Sequence, residues 1–555
     1  MVTYRLLDDP WLPVRRRSGA SVWIRPCDLT DGIDTDPIVA LDWPRPDFQA
    51  AGREMLIGLL ASTLGCSEDE WEEYWQHPPS PAVLAQHFAA AAAAFVLDGD
   101  GPRFLQDIEA LAGEPDLPET LLIEAPGAAG RRNNTTLLVK PDRVRVLSRA
   151  AAAMALYTLQ TYAPTGGSGH LTSLRGGGPL TTLVFPGSAP GYAHAVPLWH
   201  TLWANVPYST PATAATLPLV FPWLAPTRTA ERFPATAAGP HADALQAFWG
   251  MPRRIRLIFA PNPERLPCDL TGVIDEIVVT GWVQRQHGVK YVGWQHPLTP
   301  MQEDKKSGWR PVHPQPGGIG YRHWAGLVET REETGRRAAT VVSAWRNRVA
   351  AAEQHGARLF ASGYDMKEMK ARAFVESEMP LPGRDNPAAQ AALARTLIDA
   401  AEQAARALRL HVRLAVYGDK AALDSSPLAA VFESFWALTE EKFFAMLRDH
   451  AAYDAESVGQ EWQKTLRNTA LRLFDEAAPL DPNCYRLIKR GSKGKQASEG
   501  KTEIPSVVEE RRHLGAALSG YGKFGRALFE ALDLPAPESG KRAAGKPART
   551  RKEPA

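Results

Sequence analysis

Apolar and polar positions alternate with two different periods along this chain. Near the N-terminus, Tyr4–Leu7, Leu12–Arg16 and Val22–Ile24 read as short strands, and Ser18-Gly19 supplies a turn between the last two. An N-terminal β-hairpin is predicted. From Pro46 the period becomes helical, with Met55, Leu56, Leu59 and Leu60 on one face behind a proline suited to a first helical turn. An Ala-rich helix is expected over about Pro81–Phe95 and another over Ala150–Gln160. Regular structure then stops until Leu180–Val184. The stretch from Phe185 to Pro263 is rich in Pro, Trp and small residues and carries a weak strand-and-loop signal. Ile255–Phe259, Val273–Trp282 and Val289–Trp294 read as strands.

After about Leu381 the texture is helical throughout. Asp385-Asn386-Pro387 and Ser425-Ser426-Pro427 place capping residues before a helix-opening proline. The stripes Leu393/Leu397/Ala404/Leu408, Phe432/Trp436/Phe443/Met446 and Val458/Trp462/Leu466/Ala470/Leu473 follow. A fourth, Leu514/Leu518/Tyr521/Phe524/Leu528, begins after Pro505-Ser506. The expected fold class is α+β: a large N-terminal mixed α/β domain (1–380), a C-terminal four-helix bundle (381–535) and a disordered basic tail (536–555).

Composition narrows the function classes. The 555 residues carry 63 Lys+Arg against 62 Asp+Glu, so no global field announces a polyanionic partner and any such contact must be local. No run is long and apolar enough to span a membrane, and the N-terminus, with Asp8 and Asp9 early, lacks an export signal. The four cysteines (Cys27, Cys66, Cys268, Cys484) are scattered without a Cys-x-x-Cys pair, which fits a reducing cytoplasm. His287, His296, His313 and His323 share a β-rich region but match no metal-ligand spacing. Gly-x-Ser-x-Gly is missing, and Gly500-Lys501-Thr502 lacks the first glycine of a phosphate loop. No catalytic constellation stands out, and no cofactor or metal is expected.

Backbone freedom does stand out. Six of the fourteen residues between Pro164 and Pro179 are glycine. Such a cluster is costly in conformational entropy, and it suits either an irregular connector or a surface where main-chain N–H groups meet a phosphate backbone or groove edge. Basic clusters add to this. Lys489, Arg490, Lys493 and Lys495 lie between the third and fourth C-terminal helices, near Arg486, and Lys367, Lys370 and Arg372 follow Gly363-Tyr364. Four or five neutralised phosphates would give a log affinity against log salt slope of roughly −4.

LLDDPWLPVRRRSG, TGGSGHLTSLRGGGPLTTLV and GYDMKEMKARAF (Gly363–Phe374) together resemble the CasA family, the large subunits of the type I-E CRISPR surveillance complex Cascade. The glycine segment is the most specific of the three. The resemblance implies a non-catalytic subunit that binds target double-stranded DNA at the protospacer-adjacent motif (PAM), helps open it and recruits a helicase–nuclease. Its other partners are the crRNA-bearing Cascade subunits: backbone, 5′-handle-binding and small subunits. By the same resemblance Gly166, Gly167, Ser168, Gly169 and His170 form the loop that approaches the PAM from the minor groove. Lys367, Glu368, Met369 and Lys370 fall at the turn that wedges beside it, and Lys290, on the expected Arg285–Lys290 strand, contacts the PAM duplex. Asn133 and Asn134 reach toward the crRNA end and neighbouring subunits. Only Cys268 remains where some members carry paired cysteines, so no zinc is implied. A scaffold subunit that leaves DNA reading to others, and a cytoplasmic hydrolase with an unrecognised site, are the competing readings.

Overall fold

The structure, a computed structural model, describes residues 3–133, 139–164, 166–167, 169–233, 242–349, 354–367, 370–382, 387–417, 426–448, 455–479, 507–535 and 537. The chain divides into two compact units, Met1–Pro387 and Ala388–Ala555. The class is mixed α/β, with small antiparallel sheets in the first unit.

The first unit opens on a three-stranded sheet. β1 (Leu12–Arg16) pairs with β2 (Ser21–Ile24) across the expected turn and with β3 (Ile38–Leu41) on its other edge. The anticipated Tyr4–Leu7 strand is only a bridge between Arg5 and Val96. α1 (Pro46–Thr63), α2 (Glu68–Gln76), α3 (Pro81–Ala89) and α4 (Ala128–Arg132) follow. The Ala-rich helix therefore ends at Ala89, and Ala92–Phe95 is a separate tight turn. β4 (Leu147–Ser148) runs into α5 (Arg149–Tyr162), where the Ser148 hydroxyl accepts from the Ala151 N–H at 3.3 Å and caps the first turn.

Beyond the glycine segment come β5 (Thr181–Phe185) and the short helices α6 (Leu198–Trp203) and α7 (Leu217–Val220). β6 (Arg254–Pro261) and β7 (Ile277–Arg285) form a sheet with β4. β8 (Met301–Asp304), β9 (Gly308–Pro311) and, after α8 (Tyr321–Val328), β10 (Arg336–Arg337) form another. α9 (Thr340–Arg348) precedes the hairpin of β11 (Arg358–Lys367) and β12 (Lys370–Pro380), which pairs with β5. Two expectations need correction here. Val289–Trp294 is loop, with Gly293 at φ +75°, and β7 starts at Ile277 and ends at Arg285, so Lys290 lies beyond the strand. Gly363 and Tyr364 sit inside β11 and pair with Val375 and Phe374.

The core of this unit is aromatic. α1 and α5 are buried over most of their circumference. Trp249 packs edge-on or tilted against Phe95, Phe104, Tyr157, Phe221 and Trp223, and its indole N–H donates to Ser62 of α1 at 3.0 Å. Each such aromatic contact contributes about 0.5–1.5 kcal/mol beyond its buried area. The cluster therefore seats the segment just before β6 firmly on the helices.

The second unit is helical: α10 (Pro387–Tyr417), α11 (Ser426–Arg448), α12 (Ala455–Ala477), α13 (Val507–Ala517) and α14 (Gly522–Ala531). The striped residues Leu397, Leu408, Phe443, Trp462, Leu466, Leu514, Leu518 and Leu528 are buried. The fourth stripe, however, is split into two helices. Gly520 at φ +94° and Gly522 at φ +75° break it, and Tyr521, expected in the core, is 49% exposed. Three residues of left-handed or extended backbone cost less than burying a tyrosine hydroxyl without a partner. Among the described residues no helix is long and apolar enough to cross a membrane.

Candidate nucleic-acid interface

The glycine-rich segment divides into two halves with different roles. Gly166 and Gly167 are exposed, and the turn closes through Gly166 N–H to His170 O and His170 N–H to Gly167 O, both at 3.2 Å. Gly167 has φ +88° and open space where a Cβ would stand, so glycine is needed there for backbone conformation and not for packing. The Gly167 and Gly169 N–H groups have no acceptor among the described residues. Ser168 lies outside those residues.

The second half is packing. Gly178, at φ +62°, lies where a Cβ would come 2.5 Å from Tyr364 O and 2.8 Å from a Met366 methylene. Between the halves Arg175 is buried. Its guanidinium meets Glu54 of α1 at 2.6 Å and the hydroxyls of Thr181 and Thr299 at 3.0 and 2.8 Å. Burial alone would raise the Glu54 carboxyl, but Arg175 and His296 together hold it down at about 2. His296 Nδ1 accepts from the Leu298 N–H, leaving its protonated Nε2 3.4 Å from Glu54 Oε1. The Arg of the Leu-Arg-Gly-Gly run is thus an internal anchor, not a surface cation.

The exposed half stands over Arg253. This residue follows the Trp249 cluster, and Gln160 of α5 holds its backbone from both sides at 2.9 and 3.0 Å. Its guanidinium donates to Pro164 O at 2.5 Å and Leu171 O at 2.8 Å, clipping together the two ends of the loop. It lies so near Gly166 that a Cβ there would meet it at 2.6 Å. No carboxylate among the described residues neutralises it, and burial lowers its pKa to about 10, so it still carries its charge near neutral pH. His170 is also shifted down, first by burial and then by Arg253, and is neutral at pH 7.

A second strand of chain completes this face. The Gly169 carbonyl accepts from the His287 N–H at 2.7 Å, so the loop following β7 runs beside the glycine turn. Exposed Arg285 and Lys290 lie on either side of that contact in sequence. The structure thus brings Lys290's loop to the glycine turn although Lys290 is not on a strand.

The β11–β12 hairpin is joined to the same framework through Gly178. Lys367 pairs with Lys370 at its end, and both are exposed. Arg372 is not available as a free cation, since it pairs with Asp365 at 2.5 Å. Glu368 and Met369 lie outside the described residues. Asn133 is exposed after α4, where Arg131 pairs with Glu119 at 2.9 Å, and Asn134 lies outside the described residues. Lys489, Arg490, Lys493 and Lys495, Gly500-Lys501-Thr502 and nearly all of the 536–555 tail also lie outside them. Arg253 was not singled out by sequence reading. Its only signal was a pair of arginines before a strand.

Residues 6–473 match the family described as CRISPR-associated protein Cse1. The fold is similar to three solved chains. One belongs to a structure described as a CRISPR RNA-guided surveillance complex (16% identity, 93% of this chain and 99% of that one, TM-score 0.67). The others are Thermobifida fusca Cse1 (18%, 96% and 98%, TM-score 0.65) and Thermus thermophilus CasA (16%, 93% and 99%, TM-score 0.61). At these identities the likeness is one of fold.

Proposed function

Because the chain belongs to the CRISPR-associated Cse1 family, we propose that it is the large, non-catalytic subunit of a cytoplasmic type I-E Cascade complex. In this reading it recognises the PAM in target double-stranded DNA, helps melt the adjacent duplex and recruits a helicase–nuclease. The crRNA-bearing subunits are its assembly partners. The domain division is that of the sequence reading, a mixed α/β domain to residue 380 and a helical bundle to 535, with the basic tail beyond.

One observation carries the reading: an exposed main-chain turn, with N–H donors at Gly167 and Gly169 lacking acceptors among the described residues, clipped over the unneutralised guanidinium of Arg253. Such a turn can enter the minor groove, where a bare backbone fits and the donor/acceptor pattern is degenerate, so several PAM sequences would be accepted. Positive charge beneath the turn favours the phosphates on either side. Melting one base step costs on the order of 1–2 kcal/mol. Insertion at Lys367–Lys370 and contacts from Lys290, Lys367 and Lys370 offset it.

The test is Gly167→Asp in the reconstituted complex, read by gel shift on a PAM-bearing duplex. Space at Gly167 is open, so assembly is expected to persist while affinity falls about tenfold or more. Unchanged affinity overturns the loop assignment. Neutralising Lys489, Arg490, Lys493 and Lys495 together is expected to flatten the salt dependence. If neither change has an effect, the subunit is a scaffold.

A further inference from the structure

Away from the glycine turn, the first unit contains a cleft of about 700 Å3 whose wall includes Arg53 of α1. The Arg53 guanidinium lies 5.4 Å and 5.1 Å from the ring centres of Phe185 and Phe360, which stack on each other at 4.8 Å. Among the described residues it has no hydrogen-bond acceptor and no ion-pair partner. Burial pulls its pKa down, and Glu376 and Glu378 oppose this only through space. Glu378 is itself committed to Arg358 at 2.5 Å.

A half-buried guanidinium that no carboxylate touches is free to take an anion that enters the cleft. The other arginine of the wall is paired with Glu378, so Arg53 is the guanidinium of the wall that no carboxylate among the described residues touches. Val39, Pro186, Val196 and Leu198 give it apolar sides. A planar guanidinium at an apolar-walled site suits a carboxylate, which it can bind with two parallel hydrogen bonds. The volume suits a small organic group. A phosphodiester inside a polynucleotide would need two open ends for its ester arms, whereas a carboxylate on a stem enters end-on.

We propose that this cleft binds a single carboxylate on an apolar stem, carried by the C-terminus of a peptide segment or by a small organic acid, with Arg53 taking the carboxylate and the apolar sides taking the stem. None of its lining residues belongs to the DNA-facing loops, so the site stands or falls independently of the PAM reading.

Isothermal titration of the full chain tests it with four probes: N-acetyl-leucine, N-acetyl-leucinamide, hexanoate and dimethyl phosphate. The two acids are expected to bind and the amide not. Arg53→Met is expected to weaken the acids about tenfold or more. It should leave the melting temperature nearly unchanged, since Arg53 is half-buried and makes no ion pair or hydrogen bond among the described residues. Tighter binding of N-acetyl-leucine points to a peptide terminus, and tighter binding of hexanoate to a small acid. Should Arg53→Met not fold, Ala193→Trp at the exposed rim is expected to block the acids instead. Equal binding of the amide, retention of acid binding in the folded Arg53→Met or Ala193→Trp protein, binding of dimethyl phosphate alone, or no binding at all would overturn the proposal.

Discussion

Gly178 lies against the main chain of Tyr364 so closely that a Cβ on it would stand 2.5 Å from the Tyr364 carbonyl oxygen. No side chain separates the segment that follows the glycine turn from the strand that ends at Lys367. Gly178→Ala meets both this contact and a φ of +62°. It is expected to destabilise the protein by about 1–3 kcal/mol and to weaken duplex binding with it. Gly167→Ala, with open space and only backbone strain, is expected to cost about 1 kcal/mol or less. Thermal unfolding of the two variants side by side measures the difference, and equal losses would contradict the packing assigned to Gly178.

Arg253 is expected to act as a positioning residue for the glycine turn. Arg253→Lys keeps the charge but not the fork that reaches both Pro164 O and Leu171 O. Amide exchange across 164–171 should rise, and duplex affinity should fall several-fold while the salt slope stays unchanged. Arg253→Met should loosen the turn equally and weaken binding further through the lost charge. A turn that remains protected in both variants would show that the clip is dispensable.

The Glu54–Arg175 pair is fully buried, and removing one member strands the other. Arg175→Met or Glu54→Gln is expected to cost about 3–5 kcal/mol. The double replacement should recover part of that loss, because no charge is then left unpaired. Denaturant unfolding of the double-mutant cycle measures the coupling, and strictly additive losses would count against a direct pair.

Stability should fall as the solution is acidified from neutrality. Burial depresses His200, His296 and His323 to about 4 in the folded chain, against an ordinary value of about 6.5. Between those values the unfolded chain takes up protons that the fold excludes. Each such histidine therefore removes up to about 1.4 kcal/mol per pH unit as the pH drops through this window. Glu54 stays ionised there, and its stabilising effect, present above the ordinary carboxylate range, is lost only as the pH falls toward about 2. His200 sits edge-on to Trp75 at 5.1 Å, so His200→Phe keeps the packing and removes one titration. Unfolding free energies from pH 7 to 5 should decline more gently in that variant, and an identical slope would show that His200 is not excluded from protonation.

Sequence by itself determined the local features. The proline opening α1, the apolar stripes of the second unit and the run of glycines all follow from backbone preference and period. Each of these is set within a few residues of chain. What it could not distinguish was which glycine is bare and which is wedged. Gly167 and Gly178 look alike in sequence, yet one faces open space and the other faces Tyr364. Nor could it separate Arg253 from its neighbour Arg254. Tertiary structure seats the first beneath the turn and pairs the second with Asp107 at 2.5 Å. The physical reason is distance along the chain. Gln160 and Arg253 are 93 positions apart and meet only in the folded chain, where both are buried. Local propensity carries no record of a contact that hydrophobic burial alone creates.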